Sequence, residues 1–311
     1  MSTPSPVPST GYRGRLAPSP TGYLHIGHAR TFWSAWLRAR ETGGTLVMRM
    51  DDLDTERSKQ IYADAALEDL HWLGIRWQEG PDKGGPFAPY EQSKRTAIYL
   101  TVWRKLLRNG YLFPCRCSRK DLESALTAPH ENPSRSGSRG KTELLDDEPI
   151  YPGTCRRLQW RAPQLPGPTA IEVEQPDGIN WRFHIRDGEV VEFNDLNLGP
   201  QRFVAGKDFG DFVVWRKDGG PSYQLASVCD DISMEITEVV RGADLLKSTA
   251  RQILLFKALG FQPPAWYHCN LVLDHNGRRL AKRHDALSLR TLRQKGLTPM
   301  NIFGADVPLT S

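Results

Sequence analysis

A short stretch near the start of the chain, TGYLHIGHAR (Thr21–Arg30), places two histidines around one glycine between a predicted strand and a predicted helix. The strand ends in the proline-rich turn of YRGRLAPSP, and the helix carries apolar residues at helical spacing from about Ala29 to Arg40, before two glycines. The next apolar run, TLVMRM, is typical of a buried strand. Strand, helix and strand in this order predict a parallel sheet.

The histidine pair, His25 and His28, admits several interpretations. Residues three apart lie on one face of a helix and can chelate a metal together. A helix start at the carboxyl end of a parallel strand also offers unpaired N–H groups to a phosphate, and Gly27 would allow close approach of a nucleotide. An ordinary surface or core pair is the third possibility, and the stretch alone does not choose among them.

Composition and charge narrow the class of protein. The chain has 311 residues, 39% hydrophobic and 25% charged, which is typical of a globular protein with one principal domain and an insertion. No apolar run approaches the ~18 residues of a membrane-spanning helix. A net charge of +5 permits nucleic-acid binding without requiring it.

The amino terminus and the cysteines indicate the compartment. The first residues, MSTPSPVPSTGY, have neither the basic start nor the apolar centre of a signal peptide, so residues 1–12 are predicted to be a flexible tail. Five cysteines, an odd number, argue against a disulfide framework. We therefore expect a cytoplasmic protein.

The remaining pattern predicts one doubly wound parallel sheet of Rossmann type, interrupted once. Its first half covers residues 13–113. Residues 114–180 form an insertion, partly disordered, because they are polar and rich in Pro, Gly and Ser. The second half covers residues 181–265, and residues 266–311 hold a basic loop and a short helix.

The basic loop, HNGRRLAKRHD (His275–Asp285), follows a predicted strand. Most loops of this composition are solvated surface. The alternative is a lysine, Lys282, that closes over a triphosphate.

Five motifs in order, RLAPSPTGYLHIGH, MRMDDLDTER, SYQLASVCDD, EVVRGAD and RLAKR, span Arg15 to Arg283. Together they resemble the glutamyl branch of class I aminoacyl-tRNA synthetases. The resemblance implies a Rossmann-type catalytic domain that activates glutamate with ATP and Mg²⁺. It implies that His25, Gly27 and His28 contact the ATP phosphates and that Lys282 binds the departing pyrophosphate. Ala281 stands where the family commonly has serine, so one hydroxyl contact of this loop is lost.

The same resemblance implies a glutamate pocket, in which the fork of Arg241 grips a carboxylate. Asp51 stands where the family usually has a glutamate facing the substrate ammonium, so a water molecule or a backbone shift must make up one methylene. The alternative for Asp51 is a surface ion pair with Arg49. The predicted glutamate-binding residues are Arg15, Leu16, Ala17, Pro18, Ser19, Asp51, Tyr223 and Arg241.

Three cysteines of the insertion, Cys115, Cys117 and Cys155, predict a structural Zn²⁺ site, because a small insert with little core can use a metal to hold it together. His130 is the conventional fourth donor, but short relatives in this family use a tyrosine four residues before the last cysteine, which favours Tyr151. Here 33 residues separate Cys117 from Tyr151, more than expected of those relatives. Three free thiols are the alternative, while Cys229 and Cys269 are interpreted as packing residues.

Only 29 residues follow Lys282, so we expect no anticodon-binding domain. In this the chain resembles the short family members that attach glutamate to the queuosine base of tRNA(Asp). The implied reaction forms glutamyl-adenylate, which a hydroxyl of the queuosine cyclopentene ring then attacks. The expected partners are ATP, L-glutamate and queuosine-containing tRNA(Asp), with the protein as a monomer. The alternatives are a shortened synthetase that charges a tRNA 3′ end, and a catalytically silent tRNA-binding module.

Overall fold

The computed structural model of the chain describes residues 11–118, 121–122, 150–156, 175–176, 178–271 and 288–303. Within these residues strands and helices alternate as in an α/β protein. The strands are β1 (Arg13–Leu16), β2 (Thr45–Met48), β3 (Leu112–Cys115), β4 (Asn180–Phe183), β5 (Val190–Asp195), β6 (Gly199–Val204), β7 (Phe212–Trp215), β8 (Glu238–Gly242) and β9 (Ala265–Cys269). The helices are α1 (Ile26–Glu41), α2 (Gln60–Trp72), α3 (Thr96–Arg108), α4 (Tyr223–Ser233), α5 (Leu246–Leu259), α6 (Leu289–Gln294) and α7 (Pro299–Phe303).

The parallel strands form the layer that carries the site. β1 pairs with β2, and β9 pairs in parallel with both β8 and β5. β1 lies beside β8, because the N–H of Thr237 donates to the carbonyl of Arg13 at 2.9 Å. Parallel strands buried on both faces need nearly continuous apolar sequence, as in TLVM of β2. The predicted α/β fold of Rossmann type is confirmed, and residues after these strands meet at one edge.

The prediction of a single parallel sheet is wrong in one respect, because the sheets are mixed. β3, β4 and β7 form a separate antiparallel sheet in the order β3-β4-β7, and β6 pairs antiparallel with β5. The segments NWRF (β4) and FVVW (β7) pair with each other, and NWRF also pairs with LFPC (β3). The hydrophobic pattern of a segment indicates that the strand is buried, but it does not indicate which strand it pairs with.

Two apolar cores support the two kinds of sheet. One surrounds Trp103 and Trp215 under the antiparallel sheet, and the other packs Trp33 and Trp77 against β1 and β2. The second core includes Leu289 of α6, so the chain after the basic loop returns to the parallel layer. Among the residues described, no helix has both the length and the apolar character needed to cross a membrane.

Candidate active site and candidate metal cluster

A cavity of about 330 Å³ lies where β1, β2 and β8 end and α1 begins. Most of the predicted ATP and glutamate residues line it: Arg15, Ala17, Ser19, His25, Gly27, His28, Asp51, Tyr223 and Arg241. Leu16 and Pro18 are buried beside it, and their carbonyls accept the N–H groups of Arg49 and Asp51 at 2.8 and 2.9 Å. The backbone carbonyls of Leu16 and Pro18 therefore link β1 and the turn after it to the end of β2. Lys282 lies outside the described residues.

The two histidines cap helix α1. His25 is the N-cap residue, and its Nδ1 accepts the N–H of Gly27 at 3.1 Å, while Nδ1 of His28 accepts the N–H of His25 at 3.3 Å. Their rings stack with centroids 3.8 Å apart. Because each Nδ1 accepts a hydrogen bond, the neutral form of each ring carries its proton on Nε2. Both residues line the cavity, so the helix start brings two imidazole rings and a positive dipole end to it, which suits a phosphate.

This cap also explains where α1 begins. The helix was predicted from about Ala29, and it starts at Ile26 because the histidine side chains replace the missing intrahelical partners of the first N–H groups. The same side chains that serve as phosphate donors in the predicted site therefore fix the helix start.

Arg49 lies at the centre of a buried ionic network. Its side chain is fully buried and contacts Asp51 at 2.6 Å and Asp231 at 2.7 Å, with Asp230 at 3.9 Å. Arg15 lies 3.5 Å from Asp231 and donates to the carbonyl of Val240 at 3.0 Å. The pair of Arg49 with Asp51 that was considered as a surface alternative exists, but it is buried.

Burial sets the electrostatics of this network. Burial raises the pKa of the Asp51 carboxyl, and the charge of Arg49 opposes that rise. Burial alone would lower the pKa of Arg49, but Asp51, Asp231 and Asp230 together raise it well above its usual value. Asp51 gives two oxygens to Arg49 and still has lone pairs toward the cavity, so the pair with Arg49 is compatible with binding of an ammonium group.

Arg241 forms the opposite wall. It is 4% exposed and donates to Gln252 Oε1 at 2.9 Å, to Thr249 Oγ1 at 2.6 Å and to the Tyr223 hydroxyl at 3.3 Å. Its guanidinium lies over the Trp266 ring at 4.8 Å. The guanidinium is therefore held in one plane beside the cavity.

Sequence reasoning missed the residues that hold these groups. Asp230 accepts from Arg95 and Tyr99, and both it and Asp231 are buried on α4. The motif SYQLASVCDD contains them, and two adjacent acids among apolar helical positions are a sign of buried partners. His268 and Asp195, which lie behind Arg241, have no comparable sign.

The predicted metal ligands form a second cluster. The sulfurs of Cys115, Cys117 and Cys155 all lie within 4.8 Å of one another, and Cys117 Sγ is 3.6 Å from Cys155 Sγ. The Tyr151 hydroxyl lies 3.5 Å from Cys115 Sγ and 3.9 Å from Cys117 Sγ. His130 lies outside the described residues. The structure thus brings together the four side chains that the sequence predicted, despite the long intervening segment.

The donor set fits a tetrahedral ion. Ligands at the usual Zn–S distance place neighbouring sulfurs about 3.8 Å apart, close to the 3.6 Å between Cys117 Sγ and Cys155 Sγ. Burial, together with the neighbouring Cys155 and Cys115, raises the pKa of Cys117 to about 12, against a lowering by the Tyr151 hydroxyl. Against the effect of burial, hydrogen bonds from its neighbours lower the pKa of Cys155. A cation at the centre of the cluster would supply the positive charge that thiolate ligands need.

Comparisons with known proteins agree with this geometry. The family profile described as "tRNA synthetases class I (E and Q), catalytic domain" matches residues 12–151 and 170–305. A glutamyl-Q tRNA(Asp) synthetase of Symbiobacterium thermophilum is 46% identical over 94% of this chain and 84% of its own. A glutamate–tRNA ligase 2 of Syntrophus aciditrophicus is 40% identical over 94% of this chain, which spans 56% of that protein.

A solved structure gives the same result. The crystal structure of a glutamate tRNA ligase from Elizabethkingia meningosepticum in complex with its amino acid superposes with a TM-score of 0.67 at 29% identity. It covers 88% of this chain, which spans about half (52%) of that protein. The chain therefore belongs to the class I tRNA synthetases of the E and Q type and is a ligase of that family.

Proposed function

We propose that the protein activates glutamate with ATP and transfers it to the queuosine base of tRNA(Asp). A glutamate–tRNA ligase-like function is supported by the family and its relatives. The observation that carries the activation step is a single cavity lined by the two histidines that cap α1, by Asp51 and by Arg241. Such a cavity matches an amino acid and a nucleotide bound side by side.

In the proposed first step, a carboxylate oxygen of glutamate attacks the α-phosphate of ATP, an O–P bond forms, and pyrophosphate leaves with the electrons of the broken bond. Charge grows on the phosphate oxygens, and the Nε2–H groups of His25 and His28 stabilise it. Mg²⁺, when bound with ATP, neutralises phosphate charge. Asp51 orients the ammonium group and Arg241 the side-chain carboxylate.

We assign the departing pyrophosphate to Lys282. The described residues on either side of its segment both lie at the site: Leu271 lines the cavity, and Ser288 pairs with His25 through a β-bridge. Both flanks of the segment that contains Lys282 therefore lie at the cavity, which supports this assignment. Replacement of Lys282 with alanine should then slow adenylate formation steeply.

We assign the acceptor from the likeness to glutamyl-Q tRNA(Asp) synthetases, of which the chain spans 84% in one case. In the second step a ring hydroxyl of queuosine attacks the adenylate carbonyl and AMP leaves. The arrangement of three cysteines and a tyrosine agrees with the short relatives. Charging of a tRNA 3′ end is the competing function.

A charging assay separates the functions. The protein is incubated with ATP and labelled glutamate, with tRNA(Asp) carrying or lacking queuosine, or with tRNA(Glu). We expect label only on queuosine-containing tRNA(Asp). Label on tRNA(Glu) would refute the acceptor assignment. Absence of pyrophosphate exchange with and without tRNA would instead favour the silent binding module.

We propose that the cysteine cluster binds one structural Zn²⁺ through Cys115, Cys117, Tyr151 and Cys155. Cys115→Ala should lower the zinc content, measured by elemental analysis, from one ion per chain to none, because the remaining donors cannot complete a tetrahedral site. The matched control is Cys229→Ala, which removes a buried cysteine from the core around Trp103 and Trp215 and should retain the metal. Purified parent protein without zinc would contradict the assignment. Tyr151→Phe should weaken zinc binding and His130→Ala should not.

A further inference from the structure

Behind Arg241, polar side chains cross three neighbouring strands. Asp195 ends β5, His268 lies on β9 and Arg241 lies on β8, where it is the register partner of His268. Asp195 and His268 are 1% and 0% exposed. Burial of polar side chains to this degree is costly unless they are hydrogen-bonded or paired with a charge.

Asp195 fixes the protonation of His268. The Oδ2 atom of Asp195 lies 2.6 Å from His268 Nδ1, and its Oδ1 accepts the N–H groups of Asn197 and Leu198 at 3.0 and 2.9 Å. Burial raises the pKa of Asp195, but these hydrogen bonds outweigh it and the pKa is lowered. Burial and the charge of Arg241 lower the pKa of His268 to about 4. The ring is therefore neutral near pH 7, with its proton on Nδ1 and an acceptor at Nε2.

That acceptor faces the guanidinium. Nε2 of His268 lies 3.3 Å from Arg241 Nε and 2.9 Å from Thr249 Oγ1. The Thr249 hydroxyl accepts from Arg241 Nη2, and its own proton has two acceptors within reach, His268 Nε2 at 2.9 Å and the Leu245 carbonyl at 3.2 Å. The other tautomer would set an N–H against the N–H of Arg241 Nε. Only the tautomer that Asp195 selects orients Arg241, whose Nη1 then lies beside the Tyr223 hydroxyl at the cavity.

We propose that Asp195 and His268 are positioning residues for recognition of the glutamate side chain, acting by holding the plane of the Arg241 guanidinium. The inference rests on the proposed binding of glutamate by Arg241. A fixed guanidinium presents only donors, so it accepts a carboxylate and rejects the NH₂ group of glutamine. A guanidinium free to rotate keeps its charge but no longer holds its donors at one place in the cavity, so binding of the carboxylate weakens.

A pair of variants tests the tautomer argument. His268→Asn keeps a donor for Asp195 but has no atom at the Nε2 position, whereas His268→Gln places an amide oxygen there. In pyrophosphate exchange, His268→Asn should raise the KM for glutamate about tenfold, as loss of a hydrogen bond to a charged group predicts. The KM for ATP should stay unchanged, and the preference for glutamate over glutamine should fall. His268→Gln should restore most of both properties.

A second pair guards against misfolding. Thr249→Val removes the hydroxyl between Arg241 and His268, and Thr249→Ser retains it, so only the valine variant should raise the glutamate KM. The inference would be overturned if His268→Asn and Thr249→Val raised the KM for glutamate and the KM for ATP equally, or if they left the KM for glutamate unchanged. Arg241→Lys distinguishes the failures. If Arg241→Lys raises the KM for glutamate and His268→Asn does not, only the inference about His268 is wrong. If Arg241→Lys leaves the KM for glutamate unchanged, the proposed binding of glutamate by Arg241 is wrong.

Discussion

Replacement of His25 with asparagine should lower the rate of ATP–pyrophosphate exchange by about 100-fold or more, the usual cost of one lost donor to a charged transition state. Asparagine is among the best N-cap residues, so its side chain can still accept the Gly27 N–H that His25 Nδ1 accepts now. It has no donor at the position of Nε2. The free energy of unfolding, measured with urea, should therefore stay near that of the parent protein.

His25→Ala is the control for this separation. It loses the cap as well as the donor, so it should show the same loss of rate and an additional destabilisation of about 1 kcal/mol. If the asparagine variant keeps full exchange activity, the ring of His25 acts as a cap alone. The assignment of the pair to phosphate binding would then fail.

Replacement of Arg49 with methionine should lower the free energy of unfolding by about 3–5 kcal/mol near neutral pH, because it leaves Asp51, Asp230 and Asp231 with less positive charge in a buried place. Urea unfolding followed by circular dichroism measures the effect. The matched control is Arg57→Met. Arg57 pairs with Asp54 at the surface and is 76% exposed, so its loss should cost under about 1 kcal/mol.

The destabilisation by Arg49→Met should depend on pH. Burial already raises the pKa of Asp51 in the folded protein, and loss of the opposing Arg49 charge raises it further. A carboxyl that binds its proton more tightly in the folded than in the unfolded state loses stability as pH rises through the interval between the two pKa values. The variant should therefore differ least from the parent at low pH and most above the folded pKa of Asp51. A difference that grows as pH falls would contradict the role of the network.

Much of the candidate site follows from local sequence. The histidine pair was placed at a helix start, and the structure shows both rings capping that start. Cys115, Cys117 and Cys155 were grouped by residue type, and their sulfurs lie together. The two histidines lie within a few residues of each other, and cysteines have few other uses in a small insert, so both groups can be recognised from the sequence.

The supporting residues were not predictable in the same way. Asp195 and His268 are 73 residues apart, and the sequence pattern of neither strand indicates which residue its polar side chain contacts. Leu16 and Pro18 belong to the predicted glutamate motif, yet they face away from the cavity because alternate residues of an extended segment point to opposite sides. A motif marks a segment, and the backbone geometry selects which of its side chains reach the ligand.

Local patterns along the chain were enough for the α/β class, the helix that begins with two histidines, and the three cysteines of the candidate metal cluster. Strand partners, the antiparallel sheet of β3, β4 and β7, and the burial of Arg49 among three carboxylates came only from the folded chain. The reason is physical. Hydrophobic periodicity and capping act within a few residues, whereas strand pairing and the environment of a buried charge depend on contacts between residues far apart in sequence.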